Sequence, residues 1–132
     1  MTQEQTSVYE FVGGADTFKR LVDTFYGKVE ADETLRPVFP DDLEPGKRWQ
    51  YLFLMQYFGG PAEYADERGH PRLRMRHAPY AINAAARDAW LTHMLASIDE
   101  IGIIDPARSI MRDYFIRAAD FMVNRYALDD EE

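Results

Sequence analysis

Apolar residues recur at helical spacing through almost the whole chain, and nowhere do they alternate with period two for long enough to mark a strand. Phe18, Leu21, Val22, Phe25, Tyr26 and Val29 fall on one face of a predicted helix. Ahead of them, Ser7-Val8-Tyr9-Glu10 has the form of a capping box, opening a short helix that Gly13-Gly14 ends. Asp32 reads as the N-cap of a short turn that Pro37 and Pro40 limit. Pro45 suits the first turn of a helix running to Phe58, stopped by Gly59-Gly60-Pro61. That helix is apolar nearly all round, so more than one of its sides is expected to be buried.

The segment 59–80, punctuated by Gly59, Gly60, Gly69, Pro61, Pro71 and Pro79, predicts a long and mostly irregular stretch. At most a turn or two of helix precedes His77, and segments of that length inside a compact domain usually carry function. Asn83 then caps a helix to about Ile101, carrying Trp90, Met94 and Ile98. Asp105-Pro106 opens the last helix, with Ile110, Tyr114, Phe115, Ala118, Phe121 and Met122 expected to face inward. The fold class is all-α, with four main helices and short accessory ones. One domain is expected over 7–126, between a disordered tail at 1–6 and an acidic tail at 127–132.

A chain of 132 residues is long enough to bury a core of its own, and 46% apolar with 14% aromatic residues supports a dense one. The absence of cysteine removes disulfides, thiolate zinc sites, iron–sulfur clusters and the attachment of c-type haem. No apolar run has the length of a membrane span, and Met1 to Ser7 is polar, so a cytoplasmic protein without membrane contact is expected. A net charge of −8 argues against general affinity for nucleic acid.

That charge is unevenly placed. Between Arg68 and Arg87 stand five arginines and two histidines with no Asp or Glu, in a chain holding 15 basic and 23 acidic residues. A basic island around His77 suits a ligand that takes one imidazole bond and carries negative charge at its edge. Iron protoporphyrin, with two propionates, is such a ligand. The plainer alternative is a solvated arginine face beside a core histidine. No Gly-x-Ser-x-Gly, phosphate loop or His-Glu-x-x-His offers another chemistry, no Glu-x-x-His pair points to a di-iron bundle, and the spacing of His70 and His77 across Pro71 does not make a zinc-ligand face.

A haem slot needs an imidazole, flat apolar walls, cations at its mouth and a polar group over the open face of the iron. Phe39, Phe53, Leu54, Met75 and Ile82 can supply walls, Arg74 and Arg76 flank His77, and Tyr26 and Trp90 each bring a polar hydrogen to a mainly apolar face. His93, one turn beyond Trp90, reads as a partly buried packing residue rather than a second ligand. His70 reads as a partner for backbone or a propionate, and Tyr64 as a further propionate contact.

Gly13-Gly14, Phe25-Tyr26, Pro37-Val38-Phe39-Pro40, Gln56-Tyr57-Phe58-Gly59-Gly60-Pro61, the string from Arg68 to His77, and Asp88-Ala89-Trp90-Leu91 together resemble the truncated haemoglobins, specifically their second group. The resemblance runs from about Tyr9 to Asn124. It implies a two-over-two helical sandwich around haem b, with His77 as the proximal iron ligand and Phe39 flat on the porphyrin. It implies a distal pocket of Tyr26, Gln50 and Trp90, with Gly46 where ordinary globins place a distal histidine. Many relatives carry Tyr at the position of Phe39 and Leu at that of Gln50.

The implied function is binding of O2, and of CO and NO, at a pentacoordinate iron, with high oxygen affinity and slow release. That suits O2, NO or redox chemistry better than bulk transport. Nitric oxide dioxygenase or peroxidase activity would need an external reductase. Either a monomer or a homodimer is compatible with this reading. Rival readings are a dedicated haem peroxidase and a cofactor-free helical module whose arginines dock an acidic partner.

Overall fold

The computed structural model describes residues 6–124, and of the expected tails at 1–6 and 127–132 all but residue 6 lie outside the described residues. Helices α1 (Val8–Phe11), α2 (Ala15–Ala31), α3 (Glu44–Tyr57), α4 (Glu63–Arg68), α5 (Leu73–His77), α6 (Ala84–Glu100) and α7 (Ala107–Met122) follow in order, with a 3-10 turn at Arg36–Val38. No strand occurs among the described residues. Helix α2 packs on α3 and on α6, and α6 packs on α7, so two helix pairs meet along the α2–α6 contact.

The local signals act as expected. Ser7 and Glu10 close the capping box of α1. Every apolar residue expected on the inner face of α2 is buried. Asp32 Oδ1 accepts from the backbone N–H of Thr34 at 2.8 Å and of Leu35 at 3.0 Å, starting the turn that follows α2. Asn83 caps α6 through Ala86 N–H at 2.9 Å. Asp105 Oδ1 accepts from Ser109 N–H at 3.0 Å and so satisfies an otherwise free donor in the first turn of α7. At the end of α3 the backbone turns through Gly59, whose φ is 103°. Beside it, a Cβ on Gly60 would stand 2.6 Å from the Tyr9 ring, so the glycine lets α1 close onto this corner.

Two expectations need correction. The segment 59–80 contains two short helices, α4 and α5, where a mostly irregular stretch is expected, and His77 is the last residue of the second. On α7, Ile110 is 48% and Phe121 62% exposed, whereas Ala107, Met111, Phe115 and Ala119 are buried. The buried stripe recurs at every fourth residue, and Ile110 and Phe121 fall to one side of it on the 3.6-residue helical turn.

The core lies where the pairs cross. Phe18, Leu21, Phe25 and Val29 of α2 are fully buried, as are Met94 and Ile98 of α6 and Met111 of α7. Each such side chain contributes about 1.5–3 kcal/mol by leaving water. Phe25 sits edge-on to both Tyr26 and Trp90, with ring centroids 5.5 and 5.2 Å away.

Candidate functional site

A cavity of about 490 Å³ opens between the helix pairs, and every helix from α2 to α7 contributes to its wall. Tyr26 comes from α2, Phe39 from just after the 3-10 turn, and Gly46, Gln50, Phe53 and Leu54 from α3. Tyr64 comes from α4, Arg76 and His77 from α5, and Trp90 from α6, with Ile82 just ahead of that helix. Residues spread over the sequence thus converge on one space, toward which α3 and α6 turn mixed apolar and polar faces and α2 turns Tyr26. Arg74 and Met75 are not brought there. Met75 is 59% exposed, and Arg74 reaches across to α7, donating to the carbonyl oxygens of Phe121 at 3.1 Å and Val123 at 3.4 Å.

His77 has a defined tautomer. Its Nδ1 lies 2.7 Å from Leu73 O, and since a carbonyl can only accept, Nδ1 carries the proton. Nε2 is then the nitrogen whose lone pair remains for a metal. Among the described residues no three His, Asp or Glu side chains gather into a metal-binding cluster. A lone imidazole holds iron firmly only when another group supplies the other ligands, as a porphyrin does.

Tyr26 is 4% exposed, and burial pushes its pKa up to about 12, so its hydroxyl remains a neutral donor. A Cβ built on Gly46 would stand 3.1 Å from Tyr26 Oη, so the hydroxyl occupies the space that a side chain at 46 would claim. Gln50 Oε1 is buried without a hydrogen-bond partner, which is costly in a closed protein and points to a site completed by another molecule. The apolar walls, the free imidazole nitrogen and this orphaned amide fit a haem and its small ligand.

Several wall residues were not singled out from the sequence. Leu35, Val38, Trp49, Leu73, Tyr114 and Met122 extend the apolar lining, and Ala86, Ala118 and Ala119 keep it open by being small. Arg68 and Arg87 join Arg76 as cationic lining. Arg68 lies over the Trp49 ring at 4.5 Å, while Arg87 pairs with Asp88 and Asp120. The arginine island was the available signal for Arg68 and Arg87, and the inward face of the last helix the signal for Tyr114, Ala118 and Met122; the other aliphatic and alanine positions carried none. His70 accepts from Arg72 N–H at 3.1 Å, a backbone role, and His93 bonds Asp32 at 2.6 Å, away from the cavity wall.

The family model for bacterial-like globins matches residues 7–124. The chain is also 39% identical to the group 2 truncated hemoglobin YjbI of Bacillus subtilis, over 98% of both chains. It belongs to the group 2 truncated haemoglobins. Among solved structures, the hemoglobin of the thermophilic phototroph Chloroflexus aurantiacus is 60% identical, with a TM-score of 0.90, over 92% of this chain and 100% of that one. The truncated oxygen-avid haemoglobin of Bacillus subtilis is 40% identical, with a TM-score of 0.85, over 90% of this chain and 100% of that one. Membership of this globin family implies a haem cofactor and the binding of small diatomic ligands at it. The two-over-two sandwich expected from the resemblance is therefore the fold of this globin. No helix among the described residues is long and apolar enough to cross a membrane.

Proposed function

We propose that this globin holds haem b through His77 Nε2 as its one side-chain iron ligand, and that it binds O2 tightly and releases it slowly. The observation that carries the reading is the His77 Nδ1–Leu73 O hydrogen bond on the wall of an apolar cavity, which leaves one nitrogen for iron. When bound, haem supplies an iron atom that takes O2, CO or NO on its open side and exchanges electrons.

The chain's own groups do the rest. Leu73 O holds the imidazole plane and raises its basicity. Phe39, Phe53, Leu54 and Ile82 exclude water from the ring faces, and Arg68, Arg76 and Arg87 can meet anionic carboxylates with charge-assisted hydrogen bonds. The Trp90 indole can only donate, and the Tyr26 hydroxyl donates in its neutral form. Hydrogen bonds to a negatively polarised ligand in a dry site are worth about 1.5–3 kcal/mol, so two of them slow release by a hundredfold or more. Gln50 adds a third polar contact or holds Tyr26 in place. Gly46 leaves no swinging side chain in the way of entry, so the bulk of Trp90 narrows the chamber instead.

Tight holding with slow release suits oxygen, nitric oxide or redox chemistry with an external reductase rather than bulk transport. The oxygen-avid relative and the donor set on this cavity wall both support it. The test is the absorption spectrum of purified protein reconstituted with haem b, ferrous, with and without O2 and CO. A one-to-one Soret band that shifts with each gas, and is lost in His77→Ala until imidazole is added, is expected. A protein that takes up no haem is a cofactor-free module instead, and bands unaltered in His77→Ala overturn the ligand assignment.

A further inference from the structure

The five-residue helix that carries His77 is too short to hold its own shape in water, where helices below roughly 12–15 residues are marginal. Its position is therefore set by what it is tied to. The tie is the residue just beyond α7. Asn124 donates from Nδ2 to Tyr80 O at 2.9 Å and to His77 O at 3.4 Å, and its Oδ1 accepts from Ile82 N–H at 2.9 Å. Its backbone N–H donates to Ile82 O at 2.8 Å. One side chain thus engages three residues of the segment 77–82, through both of its polar atoms. Arg74 makes the reciprocal contact, capping the carbonyls of Phe121 and Val123 at the end of α7.

We infer that Asn124 is a positioning residue for the haem: it fixes the peptide of His77 and the turn that returns to Ile82, and so sets how firmly the imidazole grips the iron. The inference rests on His77 being the iron ligand. Asn124 does not line the cavity; it acts through the backbone. Only an amide suits the position, since it must donate to two carbonyls and accept from one N–H at once. Aspartate keeps the acceptor and loses the donor. Leucine keeps the size and loses both. Because α7 also lines the cavity through Tyr114, Ala118 and Met122, the clamp joins the wall of the slot to the segment bearing the ligand.

The test uses the full chain loaded with haem b, in three variants: Asn124→Ala, Asn124→Asp and His77→Gly. The readouts are the iron–histidine stretching band of the ferrous protein by resonance Raman and the rate of hemin transfer to excess apomyoglobin. The expected result is a weakened or broadened band, and hemin loss faster by about tenfold, in both Asn124 variants, since each loses the two bonds that Nδ2 donates to His77 O and Tyr80 O. A purely structural role for Asn124 would lower the melting temperature while leaving the band and the hemin rate as in the native chain, and that outcome overturns the inference. Should Asn124→Ala fail to load, Asn124→Asp, which retains the bond from Ile82, decides alone. His77→Gly separates the two layers. If it keeps the band, the ligand assignment itself falls. If it loses the band and regains it with imidazole, while the Asn124 variants behave as native, only the clamp falls.

Discussion

The Tyr26 hydroxyl stands over the bare Cα of Gly46, at 3.1 Å from where a Cβ would lie. The two residues belong to different helices, α2 and α3, and share one corner of the cavity.

Gly46→Ala is therefore expected to push that hydroxyl aside by a few tenths of an ångström while adding helix propensity worth up to about 1 kcal/mol in α3. Thermal melting of the haem-free protein should be unchanged or higher, and oxygen release measured by stopped flow should accelerate severalfold. Unchanged release together with unchanged CO association would mean that Tyr26 Oη does not meet the bound ligand.

Trp90→Phe keeps a ring on the cavity wall and removes its one polar hydrogen. Loss of a single donor to a charged acceptor is expected to speed oxygen release about tenfold or more, with CO release affected less because CO draws less charge. Stopped-flow rates equal to native would remove Trp90 from the ligand's hydrogen bonds.

Phe25 lies edge-on to Tyr26 and Trp90 alike and is fully buried. Phe25→Leu should cost about 1–2 kcal/mol in denaturant unfolding, from lost ring contacts and a small void. It should also raise oxygen release, since both donors lose the same support. A variant that is destabilised yet keeps native release would show that the donors are held by other contacts.

Asp32 ties the end of α2 to α6. Its carboxyl is held below the usual carboxylate range by the hydrogen bond from His93, then by those from the backbone N–H of Leu35 and Thr34, against a desolvation effect in the other direction. A depressed folded value means that the native state favours the carboxylate. The stability this confers is present above the unfolded carboxylate pKa of about 4 and fades as pH falls through the lower folded value. Asp32→Asn should accordingly melt below the native chain at pH 7, with the gap closing as pH drops below about 4. A gap that persists to the most acidic condition would assign the effect to shape rather than charge.

Much of the site could be read from the residues because its parts carry local chemistry. His77 stands out as an imidazole in an arginine-rich string, Tyr26 and Trp90 as polar aromatics on apolar faces, and Gly59-Gly60-Pro61 as a stop. The same string misled at Arg74 and Met75. Met75, two residues before His77, projects to the opposite side of a one-turn helix in which successive residues point about 100° apart, and Arg74, three before it, lies on a neighbouring face but is drawn away to the carbonyls of Phe121 and Val123. Ile110 and Phe121 misled likewise, since an apolar residue near the inner stripe of a helix is buried only if a neighbour reaches it.

By itself the sequence determined the starts and stops of the main helices and the inner face of α2, which depend on groups within about one helical turn of each other. The tertiary structure alone decided that the walls converge on one cavity, that Arg74 turns away to cap α7, that His93 reaches Asp32, and that Asn124 clamps the segment after His77. Those contacts join residues 42 to 61 positions apart. Such pairings are set by how packed helices cross, and no local pattern of residue types encodes a crossing.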